Sequence, residues 1–185
     1  MNYEETKSLI EILGVHEQLG PDGQGYGIEH NPHELAKFLC SLPPDIHTVL
    51  EIGTGYRAGL ARFMTEYLGW DVTTVDINVP QIPAVLARQV IGRSEDVVGK
   101  VYGKYDLVII DADHSYDAVK LDSNLYRNMG QIVMFHDIAG LRRCEGSARY
   151  WKEISRGENG RLLKGYHEVM ADGNQAAGIG WFTHA

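Results

Sequence analysis

Cysteine is scarce in this chain: Cys40 and Cys144 are the only two among 185 residues. So few thiols, so far apart, exclude a disulfide framework or a zinc cluster and suit a reducing compartment. Basic runs are missing as well. Against 17 Lys and Arg stand 25 Asp and Glu, a formal charge of −8, and Arg142-Arg143 is no more than a dipeptide. Neither nucleic acid nor an anionic membrane is therefore an expected partner. Long apolar runs are absent too: none approaches the roughly 20 residues needed to cross a bilayer. The start, Met1-Asn2-Tyr3-Glu4-Glu5, lacks the basic and then apolar pattern of a secretory signal. The expectation is a cytoplasmic protein whose partner is a small molecule, with a homodimer as the other expected association.

What is present reads as ordinary globular material, 44% hydrophobic and 23% charged, of a length that suits one domain with a real core. An apolar-spotted segment, Leu9-Ile10-Glu11-Ile12-Leu13, comes first. The Gly-rich run from Gly20 to Gly27 follows and reads as a lid loop, since loops that open need low local stability. Residues 1–30 are thus expected to form a helix and lid ahead of a single domain over 31–185. Asn31-Pro32-His33-Glu34 is helix-start chemistry: Asn31 caps, Pro32 suits the first turn, and Glu34 stands where a capping-box carboxylate reaches back. Leu35, Phe38, Leu39 and Leu42 continue at helical spacing until Pro43-Pro44. His30 and His33 flank this start and read as surface histidines.

From there strands and helices alternate. Thr48–Ile52 reads as a strand, and Leu60, Phe63, Met64, Tyr67 and Leu68 as one helix face. Val72–Asp76 and Gln89–Gly92 are the next strands, joined by a connection that Pro80 and Pro83 shorten. Asp106–Asp111 is apolar on both faces, as a central parallel strand requires. Ala118, Leu121, Leu125 and Met129 predict a helix behind it. Gln131–Phe135 is a fifth strand, and Tyr150, Trp151 and Ile154 mark another helix. Two segments, Tyr166–Met170 and Gly178–Phe182, predict a closing hairpin. The fold expected is α/β: a Rossmann-like, doubly wound, mostly parallel seven-stranded sheet with a C-terminal antiparallel hairpin.

In such a sheet the ligand lies at the carboxyl ends of the strands. Those ends carry Glu51-Ile52-Gly53-Thr54-Gly55, then Asp76, Ser94-Glu95-Asp96, Asp111 and His136-Asp137. The glycines allow close approach to the backbone, though a Gly-x-Gly turn after a strand equally opens a dinucleotide site or serves packing alone. Glu51 favours a cationic ligand over a pyrophosphate, with a buried structural acid as the alternative. A carboxylate at Asp76 suits a ribose diol, a feature shared with nicotinamide folds.

Taken together, Val49–Gly55, Val75-Asp76-Ile77 and Ile91–Asp96 resemble successive motifs of class I S-adenosylmethionine-dependent methyltransferases. Tyr105–Tyr116 and Ile132–Ile138, with the aromatic pair Tyr150-Trp151, resemble methyltransferase family 24, a small-molecule and sugar O-methyltransferase group. The resemblance spans roughly residues 27 to 183. It implies S-adenosylmethionine as cofactor, held by Glu51, Gly53, Thr54, Gly55, Asp76, Ile77, Ser94 and Asp111. It also implies a divalent metal, Mg²⁺ or Mn²⁺, on Asp111, His136 and Asp137. The departure is His136, where metal-using relatives commonly place a carboxylate; imidazole suits Mn²⁺, Fe²⁺ or Zn²⁺ and is a poor Mg²⁺ ligand. The resemblance makes Asp111 and His114 catalytic, His114 as general base, whereas Asp113, His114 or Ser115 could equally cap the helix that starts at Tyr116. Two other functions fit the same turn: a nicotinamide-dependent oxidoreductase, which has no use for the Asp/His cluster, and a non-catalytic cofactor-binding domain.

Overall fold

The computed structural model describes residues 2–15, 27–79, 88–140, 144–156, 165–171 and 177–184. All but Gly27 of the expected lid, the Pro80–Pro83 connection and Arg142-Arg143 lie outside them.

Side chains of a strand alternate between its faces, and strand β4 (Tyr105–Ile110) shows what that does here. Leu107 and Ile109 enter one core, Val108 and Ile110 the other, each at most 3% exposed. A strand buried on both faces needs neighbours on both sides. β4 lies between β1 (Thr48–Ile52) and β5 (Gly130–His136), parallel to both. Beyond β1 come β2 (Asp71–Asp76) and β3 (Arg88–Ile91), also parallel. Beyond β5 come β7 (Ile179–Thr183) and β6 (Tyr166–Val169), both pairings antiparallel. The order is β3-β2-β1-β4-β5-β7-β6, the mostly parallel, seven-stranded sheet with a terminal hairpin that the alternation predicts.

Helices α1 (Tyr3–Val15), α2 (Pro32–Ser41) and α3 (Gly59–Glu66) cover the first core. Helices α4 (Ser94–Val97), α5 (Tyr116–Tyr126) and α6 (Glu145–Arg156) cover the second. Helix α3 is shorter than its apolar spacing suggests: Leu60, Phe63 and Met64 are buried, but Tyr67 is its C-cap and exposed. No helix among the described residues is long and apolar enough to cross a membrane.

Two local readings change. Asn31 does cap α2, its side chain accepting from the N–H groups of His33 (3.0 Å) and Glu34 (3.3 Å). Glu34, however, does not close a capping box. It is fully buried and accepts instead from the N–H groups of Ala171 (2.7 Å) and Gly178 (2.9 Å), tying α2 to the ends of the hairpin strands. In α5 the fully buried residues are Val119, Asp122, Ser123 and Tyr126; of the four residues expected to face the sheet, Leu125 and Met129 pack partly buried against the second core, whereas Leu121 is exposed. The buried polar residues have partners: Asp122 accepts from the Ser94 hydroxyl, Ser123 from the Tyr150 hydroxyl, and Tyr126 donates to the Ser94 carbonyl. Leu121 is left 39% exposed at the edge of the cleft.

Candidate active site

Strand order reverses between β1 and β4, and an α/β sheet opens a crevice at such a point. Here the crevice is a cleft of about 1340 Å³, lined by Glu51, Gly53, Thr54, Gly55, Asp76, Ile77, Ser94, Asp111, His114, His136 and Asp137. All eleven residues singled out from the sequence thus share one cavity.

The two glycines of the turn have different reasons to be glycine. A Cβ on Gly53, at φ +94°, would sit 2.2 Å from the Asp111 carbonyl oxygen, so packing against the β4 exit demands it. A Cβ on Gly55 would meet nothing within 4 Å; there only φ +68° requires glycine, and its backbone lines open cleft. The Gly55 N–H donates to Asp76 (2.9 Å), whose other oxygen accepts from the Asn78 N–H (2.7 Å). Asp76 therefore shapes the turn besides facing the cleft.

Glu51 is 2% exposed, and its Oε2 has no hydrogen-bond partner among the described residues. Burial pushes its carboxyl well above the ordinary range, and the charges of Asp111 and Asp76 push the same way. Around it the described lining carries nine carboxylates (Glu29, Glu51, Asp76, Glu95, Asp111, Asp113, Asp117, Asp122 and Asp137) against two guanidinium groups, Arg57 and Arg93. A cationic ligand suits such a cleft; a diphosphate does not.

The carboxyl ends of β4 and β5 carry a histidine–aspartate cluster. His114 Nε2 lies 2.9 Å from Asp137 Oδ2 and 3.4 Å from Asp111 Oδ1. His136 Nδ1 lies 3.1 Å from Asp111 Oδ1 and 3.4 Å from Asp137 Oδ2. Asp137 sits at φ +58°, a left-handed conformation that costs an L residue about 1 kcal/mol. His114 is not a cap: the N-cap of α5 is Ser115, without a side-chain cap bond, and the Ser115 N–H donates to Asp113. Hydrogen bonds to Asp111 and Asp137 raise His114 to about 10. Burial works against charge on His136, but the two carboxylates outweigh it and raise that ring to about 10 as well. Burial likewise opposes the Asp111 and Asp137 anions, and the histidines overcome it, holding both below the usual carboxylate range. In this arrangement His114 keeps its proton through neutral pH, contrary to the neutral imidazole expected of a base.

Three members of the site escape sequence reading. His30 is 7% exposed, not a surface residue, with Nε2 3.4 Å from Asp111 Oδ2 and its ring tilted by 34° against that of His136, the centroids 4.0 Å apart. Burial and the neighbouring His136 lower it to about 3. Cys144, buried at the foot of α6, joins His114 and Asp137, and burial pushes its thiol up to about 11. Asp122 holds the Ser94 hydroxyl. No local motif marks any of the three, because each reaches the cleft through tertiary packing.

The donors bear on the implied metal. Among the described residues two triplets bring donor atoms within 4.8 Å of one another: His30, Asp111 and His136, and His114, Asp137 and Cys144. Asp137 belongs to the second triplet, and its Oδ2 also lies 3.4 Å from His136 Nδ1 of the first. Imidazole nitrogens in the first triplet and a thiol in the second do not suit Mg²⁺, which demands oxygen ligands, but do suit softer divalent ions.

No protein-family model matches the sequence, and no curated protein does. Solved structures do. A methyltransferase from Pyrococcus furiosus aligns at TM-score 0.59 and 18% identity, over 97% of this chain and 94% of that one. A provisionally named caffeoyl-CoA O-methyltransferase from Staphylococcus aureus aligns at 0.55 and 15%, over 100% and 93%. A provisionally named O-methyltransferase from Nostoc punctiforme aligns at 0.56 and 13%, over 99% and 68%. The chain has the Rossmann-like fold of these methyltransferases.

Proposed function

We propose that the protein transfers a methyl group from S-adenosylmethionine to a hydroxyl of a small molecule such as a sugar or secondary metabolite, in the manner of methyltransferase family 24. The observation that carries this reading is Glu51: a buried carboxylate with an orphaned oxygen, at the start of the glycine turn, in a cleft where acids outnumber guanidinium groups. An ammonium and a sulfonium would compensate that charge, whereas the diphosphate of a nicotinamide dinucleotide would oppose it. Asp76 takes the ribose diol, and the exposed Ile77 and Leu121 offer the adenine apolar contact at the cleft edge.

The acceptor hydroxyl then faces the Asp111–His114–Asp137 group. In-line alignment of methyl donor and acceptor supplies much of the acceleration, and the hydroxyl proton passes to the His114–Asp137 pair once His114 has lost its own. A divalent ion held by cleft residues would supply Lewis-acid activation of the acceptor. Calorimetry with S-adenosylmethionine, its demethylated product and NAD, each with and without Mg²⁺ and Mn²⁺, tests the proposal. At a hundredfold excess over its dissociation constant the methyl donor should stabilise the protein by about 2.7 kcal/mol. Binding of NAD with no response to S-adenosylmethionine would overturn it.

A further inference from the structure

Two imidazoles lie ring against ring in the cleft, tilted by 34°, and three of their four nitrogens lack the hydrogen-bond partners that buried polar groups require. His30 and His136 are 7% and 6% exposed, yet both nitrogens of His30 and the Nε2 of His136 have no hydrogen bond among the described residues. Buried nitrogens are ordinarily satisfied, and an unsatisfied set calls for an ion or water. Asp111 lies against both rings, with His136 Nδ1 3.1 Å from Oδ1 and His30 Nε2 3.4 Å from Oδ2. Adjacent donors on an ion with bonds of about 2.1 Å stand about 3.0 Å apart in octahedral and about 3.4 Å in tetrahedral geometry.

We propose that His30, Asp111 and His136 bind one divalent transition ion of the Fe²⁺, Co²⁺ or Zn²⁺ class, with His30 as a ligand supplied from outside the strand ends. Two imidazoles and one carboxylate form a set with open positions that such ions accept and Mg²⁺ does not. Asn31 caps α2 directly behind His30, and the buried Glu34 docks that helix on the ends of the hairpin strands, which together hold the ring in place. This deepens the methyl-transfer reading at one end of its cleft, but the ligand set stands without it.

Cobalt titration of the purified protein, followed by visible absorption and thermal unfolding, tests the site. One equivalent of Co²⁺ should give ligand-field bands and raise Tm, while millimolar Mg²⁺ does neither. His30→Gln and His136→Gln should each weaken Co²⁺ binding by about 100-fold or more. A wild-type circular dichroism spectrum and a cooperative thermal transition report that each variant is folded. Should the variants fail to fold, the wild-type spectrum decides: no bands at one equivalent overturns the site, as does unchanged Co²⁺ affinity in a folded His30→Gln protein. Cofactor binding without Co²⁺ binding removes the metal site and spares methyl transfer; Co²⁺ binding without cofactor binding does the reverse.

Discussion

His114 Nε2 and Asp137 Oδ2 stand 2.9 Å apart, an ion pair that joins the exit of β4 to the exit of β5 across the mouth of the cleft. Because Asp111 and Asp137 raise His114 to about 10, its neutral form is the minor one at neutral pH. If it accepts the acceptor's proton, turnover should climb about tenfold per pH unit above neutrality and level only near 10. A pH–rate profile of the metal-free protein checks this; a plateau already near pH 7 would contradict the paired imidazolium. His114→Ala should lower turnover by about 10²-fold while leaving affinity for the methyl donor nearly intact.

Glu51→Gln should separate stability from binding. The folded protein holds this carboxyl above its ordinary value, so its contribution to stability is present at low pH and is lost as pH rises through the raised value. A neutral glutamine escapes that loss, and the variant should melt higher than wild type at neutral and alkaline pH. It should also bind S-adenosylmethionine about 10-fold or more weakly, since a charge-assisted hydrogen bond is lost. Scanning calorimetry and titration calorimetry read the two effects; a variant that melts lower yet binds equally well refutes the assignment of Glu51.

Gly146 in α6 presses on the turn that carries His114. A Cβ there would stand 2.2 Å from the Tyr116 nitrogen and 2.3 Å from the His114 carbonyl oxygen, and the Ser147 N–H donates to that same carbonyl at 3.2 Å. Gly146→Ala must move one backbone or the other. The expected result is a destabilisation of about 1–3 kcal/mol and a fall in kcat larger than any change in cofactor affinity. Wild-type kcat in a folded variant would show that the His114 turn tolerates displacement.

Asp106 works at the opposite end of the sheet. Its carboxylate accepts from the His47 N–H (2.9 Å), the Thr48 N–H (2.8 Å), the Thr48 hydroxyl (2.9 Å) and the Gln131 amide (3.2 Å), linking the starts of β1, β4 and β5. Burial pushes its pKa up, but these bonds outweigh burial and lower it. The stabilisation is therefore present above the unfolded carboxyl's pKa and lost as pH falls through the lower folded value. Asp106→Asn should cost about 1 kcal/mol at pH 7, a figure reduced for partial solvent exposure. The gap to wild type should shrink in urea unfolding below pH 4, with turnover unaffected throughout.

Sequence alone determined the sheet and which residues stand at its carboxyl ends. Periodicity is a local property: Leu107, Val108, Ile109 and Ile110 read as a strand buried on both faces without knowledge of its neighbours, and the acids and glycines at strand ends follow from where strands stop. Tertiary structure decided what meets those ends. His30 reads as a surface residue because nothing near it in sequence announces burial; only the docking of α2, through Glu34 on Ala171 and Gly178, carries it onto Asp111 and His136. The same holds for α5, where Asp122, Ser123 and Tyr126 are buried on distant hydrogen-bond partners while Leu121 lines the cleft. Protonation belongs to this second kind as well. His114 carries the same imidazole in any sequence, but two carboxylates from different strand ends, one held at positive φ, decide whether it holds its proton. Spacing along a chain reports local geometry, whereas burial and charge are set by groups brought together across it.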